Sequence, residues 1–416
     1  MGAGLVKTVS GDPKLISEVT QSNEIRRGWS LILGCAIGIG IGIMALPYST
    51  AGLFISGLER EYGWTRTEIS LGPTILLAII ALVSPAVGWL ADRISPLVII
   101  TASMTAVAGA FLLMSQMGSN IAVYYIICAG MALFGAGAST VVFARIICAN
   151  FVERRGLALG IVMAGNGVTA MLSPILIGPI ISEHGWRTGY IAIATVILIG
   201  TPMILLLLRS HESRRKAEPV VQLHEGIGFS SALKMWHFWA MGVAFLLGTL
   251  ATTGMVIHLV PFLTDSGVDT AHATAIASFI GVGLIGGRLL TGWLMDRFVA
   301  NRVGAVMMAI SALGLLMLSL GDKSTAPVGA IAIGLCIGAE LDVIGYLTGR
   351  YFGMAAFGRI YGALYMFCAT GTAISPIFYG LSIDWSGAYT AGLWVGAAML
   401  VISAMLLYVL PKLHTE

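Results

Sequence analysis

The chain has 416 residues, 57% of them hydrophobic and only 10% charged, and its mean hydropathy of +0.91 excludes an ordinary water-soluble domain. A formal net charge of +3 is modest and points to no nucleic-acid partner. No phosphate-binding loop, metal-ligand cluster or nucleophile triad is present, which disfavours an ATP-driven pump or an enzyme, and no cofactor or metal is expected.

Apolar runs of roughly 20 residues, the length a helix needs to cross ~30 Å of hydrocarbon, recur along the whole sequence. The first starts near Trp29, is too long for the apolar region of a signal peptide, and is predicted to remain as a helix. In chain order, apolar length and turn residues predict helices at about 29–56, 68–90, 96–117, 121–147, 157–181 and 188–208. After a polar stretch come helices at about 236–264, 272–294, 302–320, 327–352, 358–381 and 387–410. The 53 glycines suit membrane helices, whose backbones approach closely through small residues. Cys35, Cys128, Cys148, Cys336 and Cys368 all fall inside predicted helices and read as core thiols.

Basic residues collect in alternate connections. Lys7, Lys14, Arg26, Arg27, Arg93, Arg154, Arg155, Arg209, Arg214, Arg215, Lys216, Lys234, Arg297, Arg302, Arg359 and Lys412 lie on one side, and Arg60, Arg66, Arg187 and Lys323 on the other. That imbalance predicts a multi-pass plasma-membrane protein with an even number of spans and both termini cytoplasmic. The domain reading is residues 1–208 as a six-helix bundle with a cytoplasmic tail, 209–235 as a cytoplasmic linker, and 236–416 as a second six-helix bundle. A repeat supports the division. Gly88-Trp89-Leu90-Ala91-Asp92-Arg93 recurs as Gly292-Trp293-Leu294-Met295-Asp296-Arg297, and Arg155 and Arg359 share the same offset of 204. Ser173-Pro174 and Ser375-Pro376 recur at an offset of 202, so three matches in order argue duplication.

The Gly-x-Leu-Ala-Asp-Arg segment between the second and third helices, echoed between the eighth and ninth, resembles the cytoplasmic-loop motif of the major facilitator superfamily. The resemblance covers essentially the whole chain and implies an all-α integral membrane fold of twelve helices in two pseudo-symmetric bundles. It implies a gating role for Asp92, Arg93, Asp296 and Arg297, which in that family latch the two bundles together. Ile94-Ser95-Pro96-Leu97 follows the first motif where the family carries basic residues, which weakens the first latch.

Within the superfamily the chain is similar to bacterial monocarboxylate transporters and the oxalate:formate antiporter group. The likeness is carried by Glu153 to Gly160, Gly281 to Arg297, Gly338 to Gly353, and His258-Leu259-Val260-Pro261. It departs from the animal monocarboxylate carriers at Leu284, where they have an aspartate one turn before the arginine. It departs from the oxalate carriers in having no lysine within the eleventh helix.

Arg145, Arg288, Glu340, Asp342 and Arg350 are ionisable residues inside predicted spans, where a charge costs at least ~2.5 kcal/mol, so each is a functional candidate. Arg288 lies ~20 Å from the outer end of its helix, somewhat past the midplane. Its planar fork of donors makes it the anchor expected for an anionic substrate, the alternative being a structural ion pair. Glu340 and Asp342 are near mid-depth but ~200° apart around one helix, so one is expected to face the cavity and the other a neighbouring helix. Either is a candidate proton carrier, and a standing salt bridge with Arg145 or Arg350 is the competing reading. Asp342, Tyr346 and Arg350 form a stripe at four-residue intervals, and Arg145 is expected to pair or to snorkel.

Weaker substrate-contact candidates are His258, Tyr125, Tyr346, Tyr365 and Asn166, against which stand a histidine satisfied by a neighbour, an interfacial tyrosine and helix-packing glue. The expected function is secondary transport of a small organic monocarboxylate with a proton by alternating access. A proton-independent exchanger of the oxalate:formate type and a non-transporting sensor are the alternatives. The expected partners are the carboxylate, the proton and membrane lipid, acting on a monomer in a bacterial inner membrane.

Overall fold

The computed structural model describes residues 13–215, 226–320, 324–386 and 388–411, and the middle of the expected linker, 216–225, lies outside them together with Lys7, Lys216, Lys323 and Lys412. In chain order the helices are α1 (Pro13–Gly40), α2 (Leu46–Tyr62), α3 (Arg66–Arg93), α4 (Pro96–Ser115), α5 (Ile121–Gly135), α6 (Thr140–Asn150) and α7 (Arg155–Arg215). They continue as α8 (Phe229–Ala232), α9 (Trp236–Asp265), α10 (Thr270–Met295), α11 (Ala300–Ser319), α12 (Ala326–Tyr351), α13 (Phe357–Ser386) and α14 (Thr390–Val409).

Among the described residues, ten helical stretches are long and apolar enough to cross a membrane. One of them, in α7, turns back at Gly185, whose φ of 82° suits a residue without Cβ, and so counts as two crossings. The remaining crossing is the first. It is not the continuous helix expected at 29–56, because α1 stops at Gly40 and α2 restarts at Leu46, with Pro47 in the first turn, where its missing N–H costs nothing. Ten, plus the second crossing of α7, plus α1/α2 makes twelve. The fourth crossing is also interrupted, by a 3₁₀ turn at Ala136–Ala138 between α5 and α6. The two interruptions touch: a Cβ on Gly42 would lie 2.5 Å from the Ala138 carbonyl.

The crossings form two bundles, α1 to α7 and α9 to α14. A backbone bridge between Gly226 and Gly353 fastens the returning chain to the end of α12. Both described termini lie at one end of the bundles, the terminal side. There Glu24 accepts from the backbone N–H groups of Val152 and Arg154, and the Asn301 amide donates to the Leu410 carbonyl.

Contacts between the bundles run from the terminal side to mid-depth along two glycine seams. In one, Ser84 and Gly88 of α3 meet Gly362 and Gly358 of α13; in the other, Arg288 and Gly292 of α10 meet Gly160 and Gly156 of α7. A Cβ on Gly358 would lie 2.4 Å from the Gly88 carbonyl, and one on Gly156 would lie 2.4 Å from the Gly292 carbonyl. Side chains larger than hydrogen would force these backbones apart. Toward the opposite, far side, the side-chain bonds on these helices stay within a bundle. Tyr124 and Tyr125 bond the start of α3, and Ser375 bonds Gly254 and Leu250 of α9. Among the described residues the close contacts between the bundles thus lie on the terminal side and at mid-depth.

Candidate functional site

The second bundle builds its centre from two helices packed backbone to backbone. Gly283 and Gly287 of α10 and Gly334 and Gly338 of α12 each repeat at four residues, and each sits within 2.1 to 2.4 Å, measured from a hypothetical Cβ, of a carbonyl on the other helix. This close approach sets Arg288 of α10 beside Asp342 of α12, with Nη1 and Oδ1 3.9 Å apart and both side chains buried. The pair is in Coulombic contact without a hydrogen bond. Arg288 Nε and Nη1 and both Asp342 oxygens have no partner among the described residues. Such a geometry is costly, because buried charges are stable only when their donors and acceptors are also satisfied.

Other orphaned polar atoms are Asn166 Oδ1 of α7, Thr291 Oγ1 of α10 and Tyr361 OH of α13. A Cβ on Gly345, one turn after Asp342, would contact both Leu159 of α7 and the Tyr361 ring at 3.4 Å. The acid and the arginine therefore stand where α7, α10, α12 and α13 converge, at the inner end of the glycine seam.

Glu340 points away from this junction into the second bundle. Its Oε1 receives the Cys336 thiol at 3.6 Å, and the same oxygen would lie 3.2 Å from a Cβ on Gly248. Of the two acids, Asp342 is the one beside an arginine, and that arginine is neither Arg145 nor Arg350. Arg145 instead donates from Nε to Asp92 at 2.8 Å. Arg350 is exposed at the terminal end of α12 and has no ion pair among the described residues.

His258 is half-buried between α9, α13 and the start of α14. Its Nε2 lies 3.1 Å from the Pro376 carbonyl and its Nδ1 3.2 Å from the Tyr389 hydroxyl. A carbonyl only accepts, so Nε2 carries the proton and Nδ1 accepts from tyrosine. Both ring nitrogens are thereby used within the bundle. Tyr125 donates to the Glu68 carbonyl at 2.9 Å, a tether inside the first bundle. Tyr365 is buried and reaches Met44 at the break of the first crossing, 3.9 Å from hydroxyl to sulfur, and so spans the two bundles. Tyr346 is buried.

On the terminal side two carboxylates cap helix starts across the bundle interface. Asp92 accepts from the N–H groups of Gly358 and Arg359 at 2.9 and 3.0 Å, and Asp296 from those of Gly156 and Leu157 at 2.7 and 2.9 Å. Each acid meets the positive end of a helix dipole. Arg93 and Arg297 do not join these caps. They lie over the Trp89 and Trp293 rings at 4.4 and 4.2 Å, one turn back on their own helices.

Sequence reasoning missed Ser84, Thr291, Tyr361 and the four glycines between α10 and α12. Ser84 donates to the Gly362 carbonyl at 2.8 Å. A signal for it existed, since 84 plus the repeat offset of 204 is 288, so Ser84 is the repeat counterpart of Arg288. By the same offset Ala138 is the counterpart of Asp342, and the charged pair thus belongs to one half of the duplication.

The chain matches the Major Facilitator Superfamily family model over residues 37–376. It is 23% identical to human monocarboxylate transporter 11 over 406 residues, covering 92% of this chain and 83% of the relative. Among solved structures it is similar to the Escherichia coli fucose:proton symporter FucP, with a TM-score of 0.66 at 13% identity over 92% of this chain and 98% of the other. It is also similar to FucP in the outward conformation, with a TM-score of 0.69 at 12% identity and the same coverages.

Proposed function

Since this chain belongs to the Major Facilitator Superfamily, we propose that it is a secondary transporter moving a small organic monocarboxylate together with a proton by alternating access across the plasma membrane, its terminal side cytoplasmic. The observation that carries the reading is the buried Arg288–Asp342 contact, in which Coulombic proximity at 3.9 Å coexists with unbonded donors and acceptors. The likeness to the human relative, named a monocarboxylate transporter, supports the substrate class.

A substrate carboxylate satisfies the arginine better than Asp342 does, because it can accept from Nε and an Nη in the paired geometry that a guanidinium favours. Asp342 then loses its counter-charge in a buried setting, where an isolated carboxylate is strongly disfavoured, and takes up a proton. Before binding the site holds one positive and one negative group. Afterwards it holds arginine, substrate anion and a neutral acid, so the net charge is unchanged and the bundles can move around it without carrying charge through lipid. Tyr361 supplies a further polar atom at the junction, Thr291 and Asn166 leave polar atoms unbonded on α10 and α7, and Tyr365 bridges the bundles at the depth of the broken first crossing.

The test begins with a panel of hydroxy, keto and aromatic monocarboxylates screened for thermal stabilisation of the purified protein. Uptake of the best labelled acid is then measured in liposomes with and without an inward proton gradient. Arg288→Lys is expected to insert normally and to lose about tenfold to a hundredfold in uptake, from charge-assisted hydrogen bonds worth about 1.5–3 kcal/mol. Unchanged uptake in Arg288→Lys and Arg288→Ala refutes the anchor. Accumulation indifferent to the gradient replaces symport by exchange.

A further inference from the structure

We propose that the first bundle carries a second, separate binding site, a cavity behind α2 that takes a small neutral aromatic molecule with one hydrogen-bonding group, of the phenol class. The cavity lies between the buried face of α2 and helices α3, α4, α5 and α7, and together with its open mouth it encloses about 500 Å³ free of protein atoms. Tyr48 of α2, which is exposed, marks the mouth; Phe54, Phe111, Met114 and Tyr190 are buried. Packed interiors hold few voids larger than a water molecule, because a wall without neighbours loses its dispersion contacts. This one persists because α2 is pinned at both ends. Near its start Ser49 lies 2.8 Å, hydroxyl to hydroxyl, from Ser173 of α7. Near its end Tyr62 donates to the Met117 carbonyl at 2.5 Å, and the Trp186 indole donates to Glu61 at 2.8 Å.

The walls specify the occupant. No Asp, Glu, Lys, Arg or His among the described residues lines the cavity, so it offers a carboxylate no counter-charge. The Phe54 and Tyr190 rings stack with centroids 3.9 Å apart, and Phe111 lies 5.9 Å from the same tyrosine ring. Met114 and Met131 add thioether sulfurs, which completes an apolar, polarisable surface suited to a flat ring. Thr50 donates to the Leu46 carbonyl at 2.6 Å and Tyr124 to the Ile69 carbonyl at 3.1 Å, so both of those hydroxyl protons are spent within the bundle. Tyr190 is 4% exposed and its hydroxyl makes no hydrogen bond with a described residue. A buried hydroxyl left unbonded is costly. Water needs two to four polar partners to settle in such a place, whereas a phenol satisfies the tyrosine with its own hydroxyl and fills the apolar remainder with its ring. The site shares no lining residue with the Arg288–Asp342 junction and stands independently of the transport reading.

Fluorine NMR of 4-fluorophenol and fluorobenzene, added to the full chain in detergent and in phospholipid nanodiscs, tests this without any transported substrate. Both probes are expected to bind saturably in both settings. Cys128→Phe, which fills the cavity from α5, should abolish binding of both. Tyr190→Phe keeps the ring packing and should weaken 4-fluorophenol by about threefold to tenfold, the worth of one neutral hydrogen bond, while leaving fluorobenzene unchanged. An excess of 4-fluorobenzoate, the charged analogue, should displace neither. Failure of either probe to saturate the parent, or full binding by Cys128→Phe, overturns the site. Equal loss of both probes in Tyr190→Phe, undiminished 4-fluorophenol binding in that variant, or displacement by 4-fluorobenzoate overturns the ligand class. Binding present in detergent and abolished by phospholipid assigns the cavity to an acyl chain and overturns the proposal as well.

Discussion

His258 illustrates how a polar residue inside a membrane bundle is read differently once its neighbours are known. In sequence it is a lone histidine one turn before Pro261, a candidate substrate donor. In the structure its two nitrogens bind the Pro376 carbonyl and the Tyr389 hydroxyl, so it links α9 to α13 and α14. His258→Ala is expected to cost about 1–3 kcal/mol of stability, from two neutral hydrogen bonds at about 0.5–1.5 kcal/mol each. Thermal unfolding in lipid measures this, and a variant as stable as the parent that fails to bind carboxylate restores the donor role. Arg145 shows the same dependence on context. Sequence marks it as an intramembrane charge near the terminal end of its helix; its partner, Asp92, comes from another helix 53 residues away in the chain. No local pattern encodes that pairing.

At the scale of elements, spacing of four between small residues does two jobs. Between α10 and α12 it brings Arg288 against Asp342, and between the bundles it closes the terminal side. Gly160 connects the two jobs, because its Cα faces the carbonyl of Arg288, and a Cβ there would lie 2.5 Å from that oxygen. Gly160→Leu is expected to prop the α7–α10 seam open and shift the population toward terminal-side exposure. Spin-label distances between the terminal ends of α7 and α10 should lengthen in that variant, and distances unchanged from the parent refute the gate. The sequence contained these Gly-x-x-x-Gly matches, yet in so glycine-rich a chain the pattern does not say which copies meet another helix. The broken first crossing was similarly present as Gly40, Gly42 and Pro47, but apolar length alone runs straight through it.

Over the whole molecule the two terminal-side latches are related by the repeat but are not equivalent. Asp92 has Arg145 as a third partner. The charged neighbours of Asp296 are Arg154 and Glu24, Tyr346 stands nearby, and burial pushes its carboxyl up from the ordinary 3.8 to about 6 despite the two backbone N–H groups. An acid that holds its proton more tightly when latched than when free links proton uptake to latching. The latched state therefore gains as pH falls from about 6 to about 4, by at most about 3 kcal/mol, and loses that increment at higher pH. Interbundle distances recorded against pH should show this shift in the parent and not in Asp296→Asn; a parent with no pH dependence, or a variant that keeps it, removes the link.

The number of crossings, the duplication and the presence of charges at lipid depth were determined by the sequence alone. Each depends on short-range quantities: apolar length, the recurrence of Gly-Trp-Leu-x-Asp-Arg, and the rarity of ionisable residues in hydrocarbon. The pairing of Arg288 with Asp342 and not with Glu340, and the turn of Glu340 toward Cys336 and Gly248, were decided by tertiary structure. Two acids two residues apart differ in sequence by ~200° of helix rotation, and which of those directions meets an arginine is settled by where neighbouring backbones can approach closely enough to touch.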